Sequence, residues 1–327
     1  MNDPVGIAVV GLGHNGRAFC RAYADNPAAR LLAVCDRDPE RLRDAAYTHD
    51  VRGYEDYSFL KRDDIQAVSV HTPDHLHAEP FIAALEAGKH VFVEKPFANS
   101  LDDVKRMLAA AQASDRISMV GQVLRFNPTF RAVKQWVEAG ALGELFYLEA
   151  DYIHDLRVQR HMEPWKLLEE IPIVGGGCHP LDLLRWYAGE VEEVFAYANK
   201  IAYAEMTQPA TIVSVYRFAS GAVGKVTALY GCVNPMVELY NLGVYGTKGT
   251  VLRGRLSLDG LHAWMDMPPS PAGHPFEPEV EHFLDCIRAG KRPLCDALEG
   301  AKTATATLCA AESARTGQAV KMPKLGA

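Results

Sequence analysis

The loop at residues 11–16, GLGHNG, has the most specific chemical pattern in this chain. The stretch before it, Val5–Val10, is apolar and rich in β-branched residues, which predicts a buried strand. The stretch after it, residues 17–26, predicts a helix that ends before Pro27. Glycines at a strand-to-helix turn let a pyrophosphate approach the backbone at a helix N-terminus. The residues expected to contact a dinucleotide here are Gly11, Gly13, His14, Asn15 and Gly16.

An acidic residue completes the dinucleotide pattern. Residues 30–35 predict a second buried strand, and Asp36 follows it about 20 residues after the last glycine. A carboxylate at this position accepts hydrogen bonds from the adenosine ribose hydroxyls and repels a ribose 2′-phosphate. Arg37 comes next and has the charge to pair with that phosphate. The pattern favours NAD and leaves NADP open. The alternative is a structural glycine turn with a helix-capping aspartate.

Polar residues also follow two later strands of the N-terminal half. The strand predicted at 66–70 ends shortly before Thr72 and Pro73, and the next one ends at Glu94 and Lys95. Ligands of parallel sheets bind beyond the carboxyl ends of the strands, so we expect these residues beside the glycine loop. A lysine there can hold a substrate hydroxyl or carbonyl oxygen by a hydrogen bond. The alternative is a surface lysine paired with Glu94.

A histidine in the second half follows three glycines at a predicted helix start. His179 and Asp182 are three residues apart and therefore share a helix face. An imidazole with a pKa near neutrality commonly takes the proton of an alcohol. His179 is therefore a candidate acid/base, and Asp182 is a candidate to orient it or to bind a substrate hydroxyl. The alternative is a structural histidine that caps the helix.

The second half also holds a scattered set of metal-ligand residue types: His154, Asp155, His161 and His179. Their spacing matches no metal signature, and we expect no metal. The seven cysteines contain no C-x-x-C pair and suit reduced thiols in a cytosol.

Composition excludes several classes of protein. The 327 residues are 48% hydrophobic and 23% charged, which is typical of two soluble globular domains. The formal net charge of −7, without a run of Lys and Arg, argues against nucleic acid as a partner. We find neither a signal-peptide pattern nor an apolar stretch long enough to span a bilayer. We therefore expect a cytoplasmic protein without a membrane partner.

The elements that position these residues change character after residue 121. Up to that point strands and helices alternate, which predicts a parallel sheet with helices on both faces. From residue 122 onward, long strands follow one another directly, which predicts an α+β domain with a large, mostly antiparallel open sheet. The expected strands are at 146–153, 211–218, 222–229 and 237–245, before helices at 279–289 and 296–314. The expected fold class is α/β, with domains at 1–121 and 122–327.

Five segments together resemble the glucose–fructose oxidoreductase / inositol dehydrogenase (Gfo/Idh/MocA) family. They are GLGHNG at 11–16, TPDHLHAE at 72–79, VEKP at 93–96, GALGEL at 140–145 and GGGCHPLDLLRW at 175–186. The resemblance covers nearly the whole chain. It implies an NAD(P)-binding Rossmann domain and an open-sheet domain that binds substrate and mediates homodimers or homotetramers. It also implies hydride transfer between NAD(P) and a sugar, cyclitol or related polyol.

The resemblance further implies residue roles. Lys95 is then the lysine that contacts substrate and nicotinamide, His179 the acid/base and Asp182 a supporting residue. The residues implied to line the cofactor cleft are Thr72, Pro73, His77, Glu94 and Lys95.

One position departs from the family pattern. Many family dehydrogenases carry an aspartate four residues before the histidine, and here that position is Gly175. A substrate contact must therefore be missing or supplied elsewhere. The nearest candidates, at the end of the preceding strand, are Tyr152, His154 and Asp155.

Two other functions stay open at this stage. Some proteins that resemble this family hydrolyse glycosides through transient oxidation, elimination and re-reduction. Others sense NAD(P) without catalysis. A sensor would not need Lys95 and His179, and both are present.

Overall fold

A computed structural model of the chain describes residues 3–159, 165–233, 240–270 and 273–325. The chain forms two compact units. Unit 1 consists of Met1–Val123 and Pro275–Ala301, and unit 2 of Leu124–His274 and Lys302–Ala327. His161 and the first part of the strand predicted at 237–245 lie outside the described residues.

Unit 1 is built on a parallel sheet. Its strands are β1 (Val5–Val10), β2 (Ala29–Cys35), β3 (Arg52–Tyr54), β4 (Ala67–Val70), β5 (His90–Glu94) and β6 (Ser118–Gly121). Its helices are α1 (His14–Ala24), α2 (Pro39–His49), α3 (Ala78–Glu86), α4 (Leu101–Gln112) and, after the excursion through unit 2, α10 (Phe276–Ala289). Within the described ranges the six strands pair in the order β3-β2-β1-β4-β5-β6, which confirms the predicted parallel sheet.

The amino-acid types explain these elements. Every residue of β1 is buried, as expected for a strand in a parallel sheet covered on both faces. The Asp38 side chain caps α2 by accepting from the backbone N–H groups of Glu40 and Arg41. Ser100 caps α4 in the same way. The helix predicted at 17–26 begins earlier, at His14, because Gly13 serves as its N-cap.

Residues 275–301 return to unit 1, although the sequence places them in the second domain. Aromatic packing explains the return. The ring of Phe276 lies 5.0 Å from that of Phe19, and the ring of Phe283 lies 5.8 Å from that of Phe92. Helix α10 therefore covers apolar side chains of α1 and β5.

Unit 2 is built on a mixed sheet. Its strands are β7 (Leu145–Ile153), β8 (Val191–Asn199), β9 (Thr211–Phe218), β10 (Val223–Leu229), β11 (Gly243–Gly246), β12 (Gly249–Leu252), β13 (Arg255–Leu258), β14 (Met265–Asp266) and β15 (Val320–Lys321). Its helices are α5 (Pro128–Glu138), α6 (Leu156–Gln159), α7 (Trp165–Leu168), α8 (Pro172–Gly175), α9 (Cys178–Ala188) and most of α11 (Ala297–Thr316). Among the described residues the strand order is β14-β13-β12-β11-β7-β10-β9-β8-β15.

The sheet of unit 2 is mostly antiparallel, as predicted, except where β10 runs parallel to β7. Side chains of β9 alternate between buried and exposed positions, with Ile212, Ser214 and Tyr216 buried and Val213 and Val215 exposed. One face of the sheet therefore packs on protein, including α9, while the other stays open.

Candidate active site

The glycine loop of unit 1 has the geometry of a phosphate site. Gly11 has a φ of +88°, and a Cβ atom there would lie 2.6 Å from the carbonyl group of His71. A Cβ at Gly16 would lie 1.8 Å from the Gly11 carbonyl oxygen, so neither position has room for a side chain. Gly13 differs, because a Cβ there would meet no atom of the described residues within 4 Å. The backbone at the N-terminus of α1 is thus open to an anion.

Asp36 lies directly after β2, against the same loop. Its Oδ2 accepts a hydrogen bond of 2.6 Å from the backbone N–H of Leu12, and its Oδ1 accepts one of 2.9 Å from the backbone N–H of Asp38. A carboxylate has about four acceptor positions, so this half-buried side chain keeps capacity for ribose hydroxyls. Arg37 is exposed beside it.

His77 ties together two loops at the carboxyl ends of β4 and β5. Its Nδ1 lies 2.8 Å from the carbonyl oxygen of Pro96, and its Nε2 lies 3.0 Å from that of Thr72. Burial is the main cause that lowers the pKa of His77 to about 4. The Thr72 hydroxyl is buried and has no hydrogen-bond partner in the described part of the chain, which suits a ligand contact. Pro73 follows at the start of a 3-10 turn.

Lys95 is the first residue after β5 and is partly buried. Its backbone N–H donates to Glu94 Oε2 at 3.0 Å. The other oxygen of Glu94 lies 3.9 Å from Nδ1 of His71, which is fully enclosed. Burial lowers the pKa of His71 to about 3, so its ring is neutral at physiological pH. Lys95 therefore extends from a loop whose backbone is fixed by Glu94.

A buried chain of polar groups leads to the same loop. The hydroxyl of Tyr23 donates to Ser69 Oγ at 3.1 Å, and Ser69 Oγ lies 2.7 Å from Nε2 of His71. The carboxyl group of Glu279 is also buried in unit 1, and neither of its oxygens has a hydrogen-bond partner among the residues described. Burial and the charge of Glu94 raise the pKa of Glu279 well above its usual value. Sequence reasoning missed this cluster because its members come from four separate elements.

His179 is the second residue of α9 in unit 2 and is only 1% exposed. Its ring stacks at 5.9 Å on that of Tyr152 and at 5.5 Å on that of His274. Tyr152 in turn stacks at 5.7 Å on His154. Tyr240 meets the ring of His179 edge-on at 5.9 Å. The structure therefore brings together the rings of Tyr152, His154 and His179. It adds those of Tyr240 and His274, which no local sequence signal marks.

Asp182 and Asp155 have protein partners. The two carboxylate oxygens of Asp182 accept hydrogen bonds of 2.7 and 2.8 Å from the guanidinium group of Arg125. The hydroxyl of Thr303 adds a third, at 3.0 Å. Asp155 forms an ion pair with Arg157. The structure thus places Asp182 in a buried ion pair on α9, three residues after His179.

Neither a metal-binding cluster nor a membrane-spanning helix is found in the described part of the chain. Within the described ranges no group of three or more His, Cys, Asp or Glu side chains is arranged to hold a metal ion. No helix in those ranges is long and apolar enough to cross a membrane.

Comparison with known proteins gives the family. Residues 5–122 match the oxidoreductase family with an NAD-binding Rossmann fold, and residues 130–252 match the GFO/IDH/MocA C-terminal domain. The chain is 32% identical to myo-inositol 2-dehydrogenase of Thermotoga maritima, over 75% of this chain and 74% of that protein. It is 26% identical to scyllo-inositol 2-dehydrogenase (NAD(+)) of Bacillus subtilis, over 98% of this chain and 97% of that one.

A solved structure of levoglucosan dehydrogenase in complex with NADH and L-sorbose has the same fold. Its TM-score is 0.86 at 23% sequence identity, and the match covers 99% of this chain and 100% of that one. The open backbone at Gly13, the acid at Asp36 and the unpartnered Thr72 hydroxyl fit a dinucleotide in unit 1. This chain belongs to the GFO/IDH/MocA family of oxidoreductases and carries its NAD-binding Rossmann fold.

Proposed function

We propose that the protein is an NAD-dependent dehydrogenase acting on a secondary hydroxyl of a sugar, cyclitol or related polyol. The observation that carries this proposal is the open backbone at Gly13, in the same unit as Lys95 at the carboxyl end of β5. A phosphate-binding helix N-terminus and a cationic side chain at strand ends of one parallel sheet are the parts that a dehydrogenase needs. The names of the inositol dehydrogenases among its relatives support a polyhydroxylated substrate.

The proposed dinucleotide site consists of residues at the carboxyl ends of β1, β2, β4 and β5. They are Gly11, Gly13, His14, Asn15, Gly16, Asp36, Arg37, Thr72, Pro73, His77, Glu94 and Lys95. When bound, the nicotinamide supplies the acceptor or donor of the hydride. Asp36 favours NAD, because its carboxylate repels a 2′-phosphate and accepts from ribose hydroxyls.

The proposed chemistry divides between two side chains. Lys95 donates a hydrogen bond to the substrate oxygen and stabilises negative charge on it. His179 accepts the hydroxyl proton during oxidation and returns it during reduction. The neighbouring rings of Tyr152 and His154 provide a stacking surface for the apolar face of a sugar or cyclitol ring. Asp155 completes the proposed substrate-binding set. Asp182 supports the site indirectly, because its pair with Arg125 holds α9 in place.

We also propose that the protein is a homodimer or homotetramer and is cytoplasmic. The open face of the unit 2 sheet exposes Val213, Val215, Tyr197 and Val223, and Tyr197 pairs directly with Val213. An exposed apolar patch of this kind fits a second copy of the chain. In the described part of the chain no cysteine forms a disulfide bond, which suits a reducing compartment.

Dinucleotide binding followed by turnover tests the proposal. NADH and NADPH are titrated side by side by calorimetry, and a panel of sugars and polyols is then assayed at the nicotinamide absorbance. Tight NADH binding and net reduction of NAD by one polyol are the expected results. A dinucleotide that co-purifies and is not consumed while a glycoside is cleaved would favour a glycosidase instead. Binding without any turnover would favour a sensor.

A further inference from the structure

The space beside Gly175 is already filled by a carboxylate. A Cβ atom at Gly175 would lie 2.3 Å from Oε1 of Glu170 and 2.8 Å from its Cδ. Real Cβ atoms essentially never make contacts this short, so a side chain at position 175 and the present position of Glu170 exclude each other. Glu170 therefore occupies the room that an aspartate at position 175 would need.

Glu170 is held among the aromatic residues that surround His179. It is only 4% exposed, and the hydroxyl of Tyr230 donates a hydrogen bond to its Oε1. The Tyr230 ring lies 5.8 Å from that of Tyr152, which stacks on His179 at 5.9 Å. Burial of a carboxylate is unfavourable unless hydrogen bonds offset the hydration that it loses. Glu170 is thus a buried carboxylate that is retained next to the aromatic side chains around the candidate acid/base.

Gly176 must also be a glycine, because Tyr152 and Tyr230 lie against its backbone. A Cβ at Gly176 would lie 2.5 Å from ring carbons of Tyr152 and 2.7 Å from the hydroxyl oxygen of Tyr230. Both aromatic side chains therefore leave no room for a side chain at position 176. Gly175 and Gly176 together therefore make room for Glu170, Tyr230 and Tyr152 on one side of the turn that leads into α9.

We propose that Glu170 is a substrate-binding carboxylate of the His179 site and takes the place that the sequence leaves empty at Gly175. The inference rests on the proposed function. The carboxylate accepts hydrogen bonds from hydroxyl groups of the polyol, while Tyr230 fixes its position. The ligand expected for Glu170 is a cyclic polyhydroxylated compound with hydroxyl groups on adjacent carbons. The two oxygens of one carboxylate can accept hydrogen bonds from two such neighbouring hydroxyl groups.

Three variants test the assignment: Glu170→Gln, Glu170→Ala, and the double variant Glu170→Ala/Gly175→Asp. The first keeps the shape and removes the charge, and the third supplies a carboxylate from the other side of the same space. We expect Glu170→Gln and Glu170→Ala to raise KM for the polyol at least tenfold while the Kd for NADH stays within twofold. The double variant should recover most of the loss. Glu169→Gln is the matched control, because Glu169 is exposed and adjacent in sequence.

The outcomes separate the two proposals. If the wild-type protein oxidises a polyol and folded Glu170→Gln has an unchanged KM and kcat, the role of Glu170 is wrong and the proposed function stands. If the wild-type protein oxidises no polyol, the proposed function fails and this assignment fails with it. If Glu170→Gln does not fold, the double variant Glu170→Ala/Gly175→Asp provides the test. A folded double variant that oxidises the polyol supports the assignment, and a folded but inactive one overturns it.

Discussion

Arg125 binds Asp182 through two parallel hydrogen bonds, from Nε to Oδ2 at 2.7 Å and from Nη2 to Oδ1 at 2.8 Å. The two side chains are 2% and 1% exposed, so the pair is shielded from solvent. Asp182 lies in the same helix as His179, three residues further on. The ion pair therefore fixes the start of α9 and with it the proposed acid/base.

Removing the carboxylate of this pair should destabilise the protein strongly. Asp182→Ala leaves the guanidinium group of Arg125 buried without its counter-charge, and we expect a loss of about 3–5 kcal/mol in the free energy of unfolding. Urea denaturation measures this value. The exposed pair of Arg217 and Glu192 is the control, and Glu192→Ala should cost less than about 1 kcal/mol. Similar losses for both variants would contradict the structural role of Asp182.

The glycine loop offers a matched pair of substitutions. Gly16→Ala places a methyl group against the Gly11 carbonyl and should lower the melting temperature. Gly13→Ala meets no neighbour and should leave the fold intact. It should nevertheless raise the Kd for NADH at least tenfold, about 1.4 kcal/mol, because the methyl group occupies the approach to the helix N-terminus. Calorimetry of unfolding and of NADH binding checks both. Unchanged NADH affinity in Gly13→Ala would place the pyrophosphate elsewhere.

Lys95 should be needed for turnover and dispensable for folding. In Lys95→Met the substrate oxygen loses a charged donor, and we expect kcat to fall by about 10²–10³-fold with NADH binding retained. Initial rates at the nicotinamide absorbance measure the effect. Lys105→Met changes an exposed lysine of α4 and should leave kcat unchanged. Wild-type turnover in Lys95→Met would end the proposed role.

Asp36 should set the preference between the two dinucleotides. Asp36→Asn keeps an oxygen that can accept from the Leu12 N–H and removes the negative charge. The ratio of NADPH affinity to NADH affinity should rise at least tenfold, since the repulsion of the 2′-phosphate disappears and Arg37 is adjacent. Titration of both dinucleotides into one protein preparation checks this. An unaltered ratio would mean that Asp36 does not face the ribose.

Glu279 should make stability depend on pH. Its pKa is raised well above the usual value of 4.5 in the folded state, so above pH 4.5 the folded protein retains a proton that the unfolded chain has released. Stability should therefore fall as pH rises, by up to about 1.4 kcal/mol per unit until the folded pKa is reached. Glu279→Gln removes this term. The difference in unfolding free energy between variant and wild type should grow from pH 5 to pH 8, and a constant difference would be evidence against a buried neutral acid.

Local signals predicted the elements that position the dinucleotide. The apolar run at Val5–Val10 and the glycine spacing were sufficient for β1, the turn and α1, because strand and turn preferences act over a few residues. The three-residue β3 was missed because so short a strand has no readable period. The side-chain contacts of the second half could not be predicted from the sequence either. Arg125 precedes Asp182 by 57 residues, and Tyr230 follows Glu170 by 60, so only folding reveals those contacts.

The discontinuity of unit 1 affects how the chain reaches its native state. The polypeptide leaves this unit at Val123 and returns at Pro275. During synthesis, the rings of Phe19 and Phe92 cannot pack against those of Phe276 and Phe283 until residues 276–283 have been made. The apolar surface that they expose in the interval is a place where nascent chains associate wrongly. Completion of the nucleotide-binding unit is thus a late event in folding, although most of its sequence is made first.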